Sequence, residues 1–257
     1  MITSTANRQI KNLIQLVKKA KVRNEQRLFV VEGIRMFREA PADWIEQVYV
    51  SEHFMREHAS EDLLAGHDFE VLSDHVFDAV SDTRTPQGVL CLLRMPEYGL
   101  EDILCKTNPH VLLLESIQDP GNLGTMIRTG EGAGISGIIM NRTTVDVFSP
   151  KVVRATMGSI FRVPFVTVED FEGALRKMKQ KGVKLFAAHL EGECSYTEAD
   201  YTKGCGFLVG NEGSGLSDMA AAQADCRIRI PMAGQVESLN AAIAATLLMY
   251  EAARQRR

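Results

Sequence analysis

Cysteine is scarce and unpatterned in this chain. Cys91, Cys105, Cys194, Cys205 and Cys226 are odd in number and nowhere form a CxxC pair. This argues against both a disulfide framework and a cysteine zinc site, and predicts reduced thiols and no bound metal. No run of about 18 uncharged apolar residues occurs, so no membrane span is expected. The opening MITSTANRQIKNLIQ is polar and basic and lacks the apolar core of a secretory signal, so a cytoplasmic protein is expected. Internal repeats and low-complexity tracts are missing too.

What is present is the composition of a soluble globular protein. The 257 residues are 45% hydrophobic and 24% charged, enough to bury a full core in one large domain or two smaller ones. The net charge of −4 hides an asymmetry. Residues 1–27 carry Arg8, Lys11, Lys18, Lys19, Lys21, Arg23 and Arg27 against the single acid Glu25, and Arg254, Arg256 and Arg257 close the chain. Two readings stay open at this point: a local patch for a polyanion, or an ordinary solvated helix face.

Hydrophobic spacing divides the chain in two. A helix is predicted over about 7–20, with strands at 28–33, 45–51, 67–73 and 88–94 and a helix from Gly33 to Ala40. This is a small α/β domain over residues 1–97. The stretch 95–109 mixes Pro, Gly and charge and is expected to hold a linker, 98–108, with a short helix at about 99–106. From 109 to 257 a second pattern alternates strands at 110–116, 137–140, 165–168, 184–190, 206–210 and 227–232 with helices at 122–133, 149–159, 170–181 and 238–255. Wholly apolar strands between helices predict a parallel sheet covered on both faces.

The glycines point to where chemistry sits. Eleven of the 20 fall in 121–137 and 204–215, both directly after an apolar strand. That is the carboxyl edge of the predicted sheet, where open α/β proteins bind ligands. In the first cluster, Asp119-Pro120-Gly121 forms a turn, Asn122 is a candidate helix cap, and Arg128 lies six residues on. Gly130, Gly132 and Gly134 imitate a dinucleotide fingerprint, but they come at the helix end and not between strand and helix. In the second cluster, Gly210-Asn211-Glu212-Gly213 has no lysine after its glycines, so it is not a P-loop. Glu212 is either a ligand for an amine or hydroxyl or a turn carboxylate capping the next helix. In a third segment, Ser238 is a candidate N-cap of the final helix and Asn240 sits in its first turn with no evident structural need. That final helix is apolar on most faces and must be buried, in the core or against a second subunit.

These three elements, in this order and spacing, resemble the SpoU (TrmH-like) family of RNA ribose 2′-O-methyltransferases. Asn122 with Arg128, then Asn211-Glu212-Gly213, then Ser238-Leu239-Asn240 carry the resemblance over residues 109–255. Residues 1–97 are similar to that family's RNA substrate-binding domain of ribosomal L30e type, through Asn7, Lys11, the run FVVEG and Thr85-Pro86-Gln87-Gly88.

The resemblance implies an α/β fold whose C-terminal half is tied in a deep trefoil knot, which general rules of chain topology would not suggest. It implies that the knot holds S-adenosylmethionine through Gly210, Asn211, Ile230 and Leu239, with Ala187, Ala188 and Met232 beside them, and that the domain forms a homodimer. It implies a catalytic set of Arg128, Asn122, Glu212, Ser238 and Asn240. Arg128 would bind phosphate and ribose hydroxyl together, since a guanidinium is a poor base. The expected substrate is structured RNA, 23S ribosomal RNA ahead of transfer RNA, contacted by Arg8, Lys11, Lys18, Lys19 and Arg23. The alternatives are a transfer-RNA ribose methyltransferase and a non-catalytic RNA-binding member of the fold.

Overall fold

The computed structural model describes residues 1–58 and 63–257. Its contacts divide the chain into two compact units, 1–97 with 146–161, and 98–145 with 162–257.

In the first unit, α1 (Arg8–Lys18) starts where the Asn7 side chain accepts the Gln9 N–H, and it buries Ile10, Leu13, Leu16 and Val17. The helix expected over 7–20 does not simply end. Lys19 takes an extended conformation (φ −126°, ψ 113°) and the chain resumes as α2 (Ala20–Gln26). Reciprocal amide bonds between Asn12 and Gln26, at 3.0 and 2.7 Å, fold α2 back along α1. There follow β1 (Leu28–Glu32), α3 (Ile34–Glu39), β2 (Ile45–Ser51), α4 (Glu52–Glu57), β3 (Phe69–Leu72), α5 (Asp74–Val80) and β4 (Val89–Arg94). The four strands lie where their apolar runs predict them, while α4 and α5 are too short to show a period. The sheet order is β1-β4-β2-β3, with β4 antiparallel to both of its neighbours and β2 parallel to β3. At the β1–α3 turn, Gly33 has a φ of 104° that a side chain would strain, and Gln87 Oε1 accepts the Ile34 N–H at 2.9 Å.

The second unit opens with α6 (Leu100–Leu104), β5 (His110–Leu114), α7 (Pro120–Ala133) and β6 (Gly137–Asn141). The next segment, with α8 (Pro150–Thr156), belongs to the first unit, where α8 packs on β1 and the Phe148 ring lies 4.8 Å from that of Phe29. The second unit continues with β7 (Phe165–Val168), α9 (Phe171–Gln180), β8 (Lys184–Ala188), β9 (Cys194–Ser195), β10 (Cys205–Val209), α10 (Asp218–Gln223), β11 (Cys226–Arg229) and α11 (Ala241–Gln255). All seven strands are parallel, in the order β7-β6-β5-β10-β8-β11-β9. Every residue of the central pair β5 and β10 is buried, as their unbroken apolar runs require. The parallel-sheet domain and the smaller N-terminal α/β unit are thus those expected, with β9 and α10 added.

Burial of Arg23 and the partners of Arg254 and Arg256 correct the reading of three arginines. Arg23 is 4% exposed. Its guanidinium donates to the Leu16 and Val17 carbonyls at 2.6 and 3.1 Å and to Asp146 Oδ2 at 2.5 and 3.0 Å. With its donors used inside the first unit, it is not available to RNA. Arg254 pairs with Glu251 at 2.7 Å. Arg256 donates to the carbonyls of Tyr201 (2.7 Å), Asn108 (3.0 Å) and Lys203, so it fastens the chain end instead of forming a free basic cluster. No described helix is long and apolar enough to cross a membrane.

Candidate functional site

Parallel strands deliver their following loops to one edge, so the turns after β5, β10, β8 and β11 gather at the carboxyl side of the sheet. The loop after β5 enters α7 with Asp119 as its N-cap and Pro120 in the first position. Asp119 Oδ1 accepts the Asn122 N–H at 2.8 Å. Asn122 is therefore not the cap. It stands in the first turn, 9% exposed, with its amide free to work sideways.

That amide joins the other two segments. Asn122 Nδ2 donates to Glu212 Oε1 at 3.0 Å, and Asn122 Oδ1 accepts from Asn240 Nδ2 at 2.9 Å. Asn240 is itself the N-cap of α11, since its Oδ1 accepts the Ala242 and Ile243 N–H groups at 2.9 and 3.3 Å. Asn240 thus has the structural role expected of Ser238, which lies outside the helix and exposed. The capping fixes the direction of the whole chain. Asn240 Oδ1 must face the helix, so Nδ2 faces Asn122, whose own Nδ2 then needs an acceptor. Glu212 supplies it.

Glu212 does not cap the helix that follows it. Its Oε1 also accepts the Asp119 N–H at 3.0 Å and its Oε2 the Gln118 N–H at 3.1 Å, at the entrance of α7. Burial pushes this carboxyl up, but the Asn122 amide and the two backbone donors outweigh it and leave it below the ordinary glutamate value. It is an anion at neutral pH.

The loop 210–215 is closed by backbone bonds between Asn211 and Gly215 at 3.0 and 2.9 Å. Asn211 Oδ1 accepts the Gly213 and Ser214 N–H groups, while its Nδ2 donates to the Ser116 carbonyl at 2.9 Å. Gly210 leaves no room for a side chain: a Cβ there would lie 2.2 Å from the Gly215 carbonyl carbon. Ala187 and Ala188 end β8, and Ile230 and Met232 follow β11. Among the described residues, the backbone groups of Gly210, Ile230, Met232 and Leu239 make none of the turn or loop hydrogen bonds. Polar backbone after β10 and β11 and just before α11, on either side of the end of β8, fits an adenosyl and amino-acid ligand such as S-adenosylmethionine.

Arg128 stands apart from the Asn122–Glu212–Asn240 chain. It lies on α7, exposed, and makes no hydrogen bond or ion pair among the described residues. Arg8, Lys11, Lys18 and Lys19 are exposed on α1 and at its end, likewise without an ion pair among the described residues. No group of three potential metal ligands occurs among the described residues. Sequence reasoning missed Gln118, Asp119 and Glu115, whose carboxylate accepts from Ser217 N and Oγ at 2.8 and 2.7 Å. For Asp119 the signal was present, an Asp directly before a Pro that opens a helix.

The SpoU rRNA methylase family matches residues 109–250, and the MRM3-like substrate binding domain matches residues 7–91. The 23S rRNA (guanosine(2553)-2′-O)-methyltransferase RlmP of Bacillus subtilis is 34% identical over 97% of each chain. The 23S rRNA (guanosine-2′-O-)-methyltransferase RlmB of Shewanella oneidensis is 30% identical over 75% of this chain and 80% of its own. Among solved structures, AviRb of Streptomyces viridochromogenes in complex with AdoMet superposes with a TM-score of 0.89 at 28% identity, covering 97% of this chain and 98% of that one. An AdoMet-bound rRNA methyltransferase of Sinorhizobium meliloti gives 0.86 at 35% identity, covering 98% and 97%. The α/β fold with its trefoil-knotted C-terminal domain and small N-terminal domain is the fold of these enzymes, and the chain belongs to the SpoU rRNA methylase family.

Proposed function

We propose that this protein transfers a methyl group from S-adenosylmethionine to a ribose 2′-hydroxyl of 23S ribosomal RNA. The observation that carries the proposal is the directed chain from Asn240 through Asn122 to Glu212, which links the three motif segments at one sheet edge. The relatives named for 23S rRNA support ribosomal RNA as the target class.

When bound, S-adenosylmethionine supplies an electrophilic methyl group on its sulfonium sulfur. Backbone groups of Gly210, Ile230, Met232 and Leu239 would hold it, with Asn211, Ala187 and Ala188 beside them. The remaining needs are placement of the ribose oxygen and removal of its proton. Arg128 binds the RNA phosphate and the ribose hydroxyl together. Its permanent charge favours the developing alkoxide without its acting as a base. The phosphate is then the proton's first acceptor. Asn122, Glu212, Ser238 and Asn240 orient this group. RNA specificity follows from the 2′-hydroxyl, which DNA lacks.

Residues 1–97 form the RNA substrate-binding domain of L30e type, 98–108 the linker, and 109–257 the knotted methyltransferase domain. Arg8, Lys11, Lys18 and Lys19 supply phosphate contacts, which give affinity without sequence information. The protein acts as a homodimer through the knotted domain. Ile243 and Tyr250, 50% and 45% exposed and two turns apart on α11, are an apolar face suited to that contact. Action on ribosomal RNA supports a cytoplasmic location.

Mapping 2′-O-methylation of total RNA from cells with and without the protein tests the proposal. Loss of a 23S rRNA mark is expected. Loss of a tRNA mark instead selects the transfer-RNA reading, and no change in any RNA selects the non-catalytic one. Arg128→Ala is expected to lower methyl transfer at least a hundredfold with cofactor affinity retained. Near wild-type turnover would remove Arg128 from the reaction.

A further inference from the structure

Among the described residues, four other than glycine have positive φ: Arg27, Asn108, Ser116 and Met157. Arg27 and Met157 cap the C-termini of α2 and α8, where a left-handed residue is ordinary, and Asn tolerates this region. Ser116, with φ of 59°, ends no helix. It lies two residues after β5, on the way to α7.

A serine held there is strained, and glycine would be the easier residue. Side chains at the carboxyl ends of both neighbouring strands, or in the loops just after them, hold it. Asn141, the last residue of β6, accepts the Ser116 N–H on Oδ1 at 2.8 Å and donates from Nδ2 to Ser116 Oγ at 3.1 Å. Both ends of one amide are thus used on one residue. Thr143 Oγ1 meets Ser116 Oγ at 2.6 Å. From the other side, Asn211 donates to the Ser116 carbonyl at 2.9 Å. Two and three residues later come the Gln118 and Asp119 N–H groups that Glu212 accepts.

We propose that Asn141 is a positioning residue for methyl transfer. By clamping Ser116 in the left-handed conformation, it aims the Gln118 and Asp119 N–H groups at Glu212. It thereby sets Asn122 and the start of the helix that carries Arg128. This inference rests on the methyltransferase reading for its effect on turnover, but the clamp itself is a property of the protein alone.

The test crosses Asn141→Ala with Ser116→Gly in the full-length protein. Glycine occupies the left-handed region without help, so it should make the clamp largely dispensable. Two measurements are taken: kcat and KM for S-adenosylmethionine with RNA, and amide hydrogen exchange over residues 116–122. In the wild-type background, N141A is expected to lower kcat at least tenfold, leave the cofactor KM within twofold, and speed exchange in 116–122. In the S116G background the same change should cost less than threefold in kcat. Asn141→Asp keeps the acceptor for the Ser116 N–H and should fall between, which covers the case of an N141A protein that folds poorly. Equal losses in both backgrounds would mark Asn141 as a general stabiliser of β6 and overturn the proposal, as would unchanged exchange. Should the wild-type protein methylate no RNA, the functional reading fails, and the exchange comparison still decides the clamp.

Discussion

A single amide group decides much of this site, because its two ends are not interchangeable. Asn122 donates a hydrogen bond to Glu212 and accepts one from Asn240. Asn122→Asp would set two carboxylates about 3 Å apart, and is expected to lower the melting temperature by several degrees and kcat at least tenfold. An unchanged melt and rate would show the chain to be incidental. A second residue prediction concerns acid stability. His110, 2% exposed, is held down to about 4, first by burial and then by the charge of Arg256. The unfolded chain binds the proton near 6.5, so the stability from a neutral buried His110 is full above that value. It is lost as pH falls from 6.5 through 4, on the order of 3 kcal/mol in all. His110→Phe, packing on Phe207, should flatten the fall of the melting temperature in that window, and a curve parallel to wild type would refute this. Residue identities were legible where chemistry and spacing coincide, at Asn122, Glu212 and Asn240. Their individual duties were not, because which side chain caps a helix depends on backbone turns. Charge misled for Arg23 and Arg256, since sequence shows a cation but not the carbonyls that enclose it.

At the level of elements, long apolar runs revealed themselves and short ones did not. β5 and β10 are unbroken hydrophobic stretches and were placed to within two residues. β9, with two residues, and α10, with six, are below the length at which any period can be seen. The start of α11 was set three residues early because Ser238 has the chemistry of a cap, while Asn240 has the geometry. The loop after β10 illustrates how tightly an element can be constrained by what it omits. Gly210→Ala would drive a methyl into the Gly215 backbone, which cannot swing aside like a flexible side chain. The loop must move, and cofactor affinity is expected to drop at least tenfold by calorimetric titration, with the central sheet intact. Retained affinity would release Gly210 from the cofactor site.

For the whole molecule, the sequence suggested two consecutive domains, and its contacts show a less simple division. Residues 146–161 match the methylase family along with their neighbours in sequence, yet they pack within the first unit. Their anchors are the Arg23–Asp146 pair, the Phe29–Phe148 contact and the Arg154–Asp82 pair at 2.7 Å. Removing one partner of a buried ion pair costs roughly 3–5 kcal/mol, because the charge left behind has no counter-ion. Residues 1–97 expressed alone are therefore expected to unfold at a clearly lower denaturant midpoint than the same unit in the full protein. Joining 146–161 to them through a flexible tether should restore most of the difference, and an equally stable 1–97 fragment would refute the dependence. The period and polarity of residues 146–161 gave no sign of this, since nothing local tells a helix which core it will join.

The path of the chain between the units has an evolutionary consequence. It passes from one to the other three times, after residues 97, 145 and 161. A gene that acquired a foreign RNA-reading head by a single recombination event would keep a helix shaped for the discarded partner. Successful shuffling must exchange two separated stretches of coding sequence at once, so head and catalytic body are expected to be inherited together and to diversify by point mutation at their surfaces.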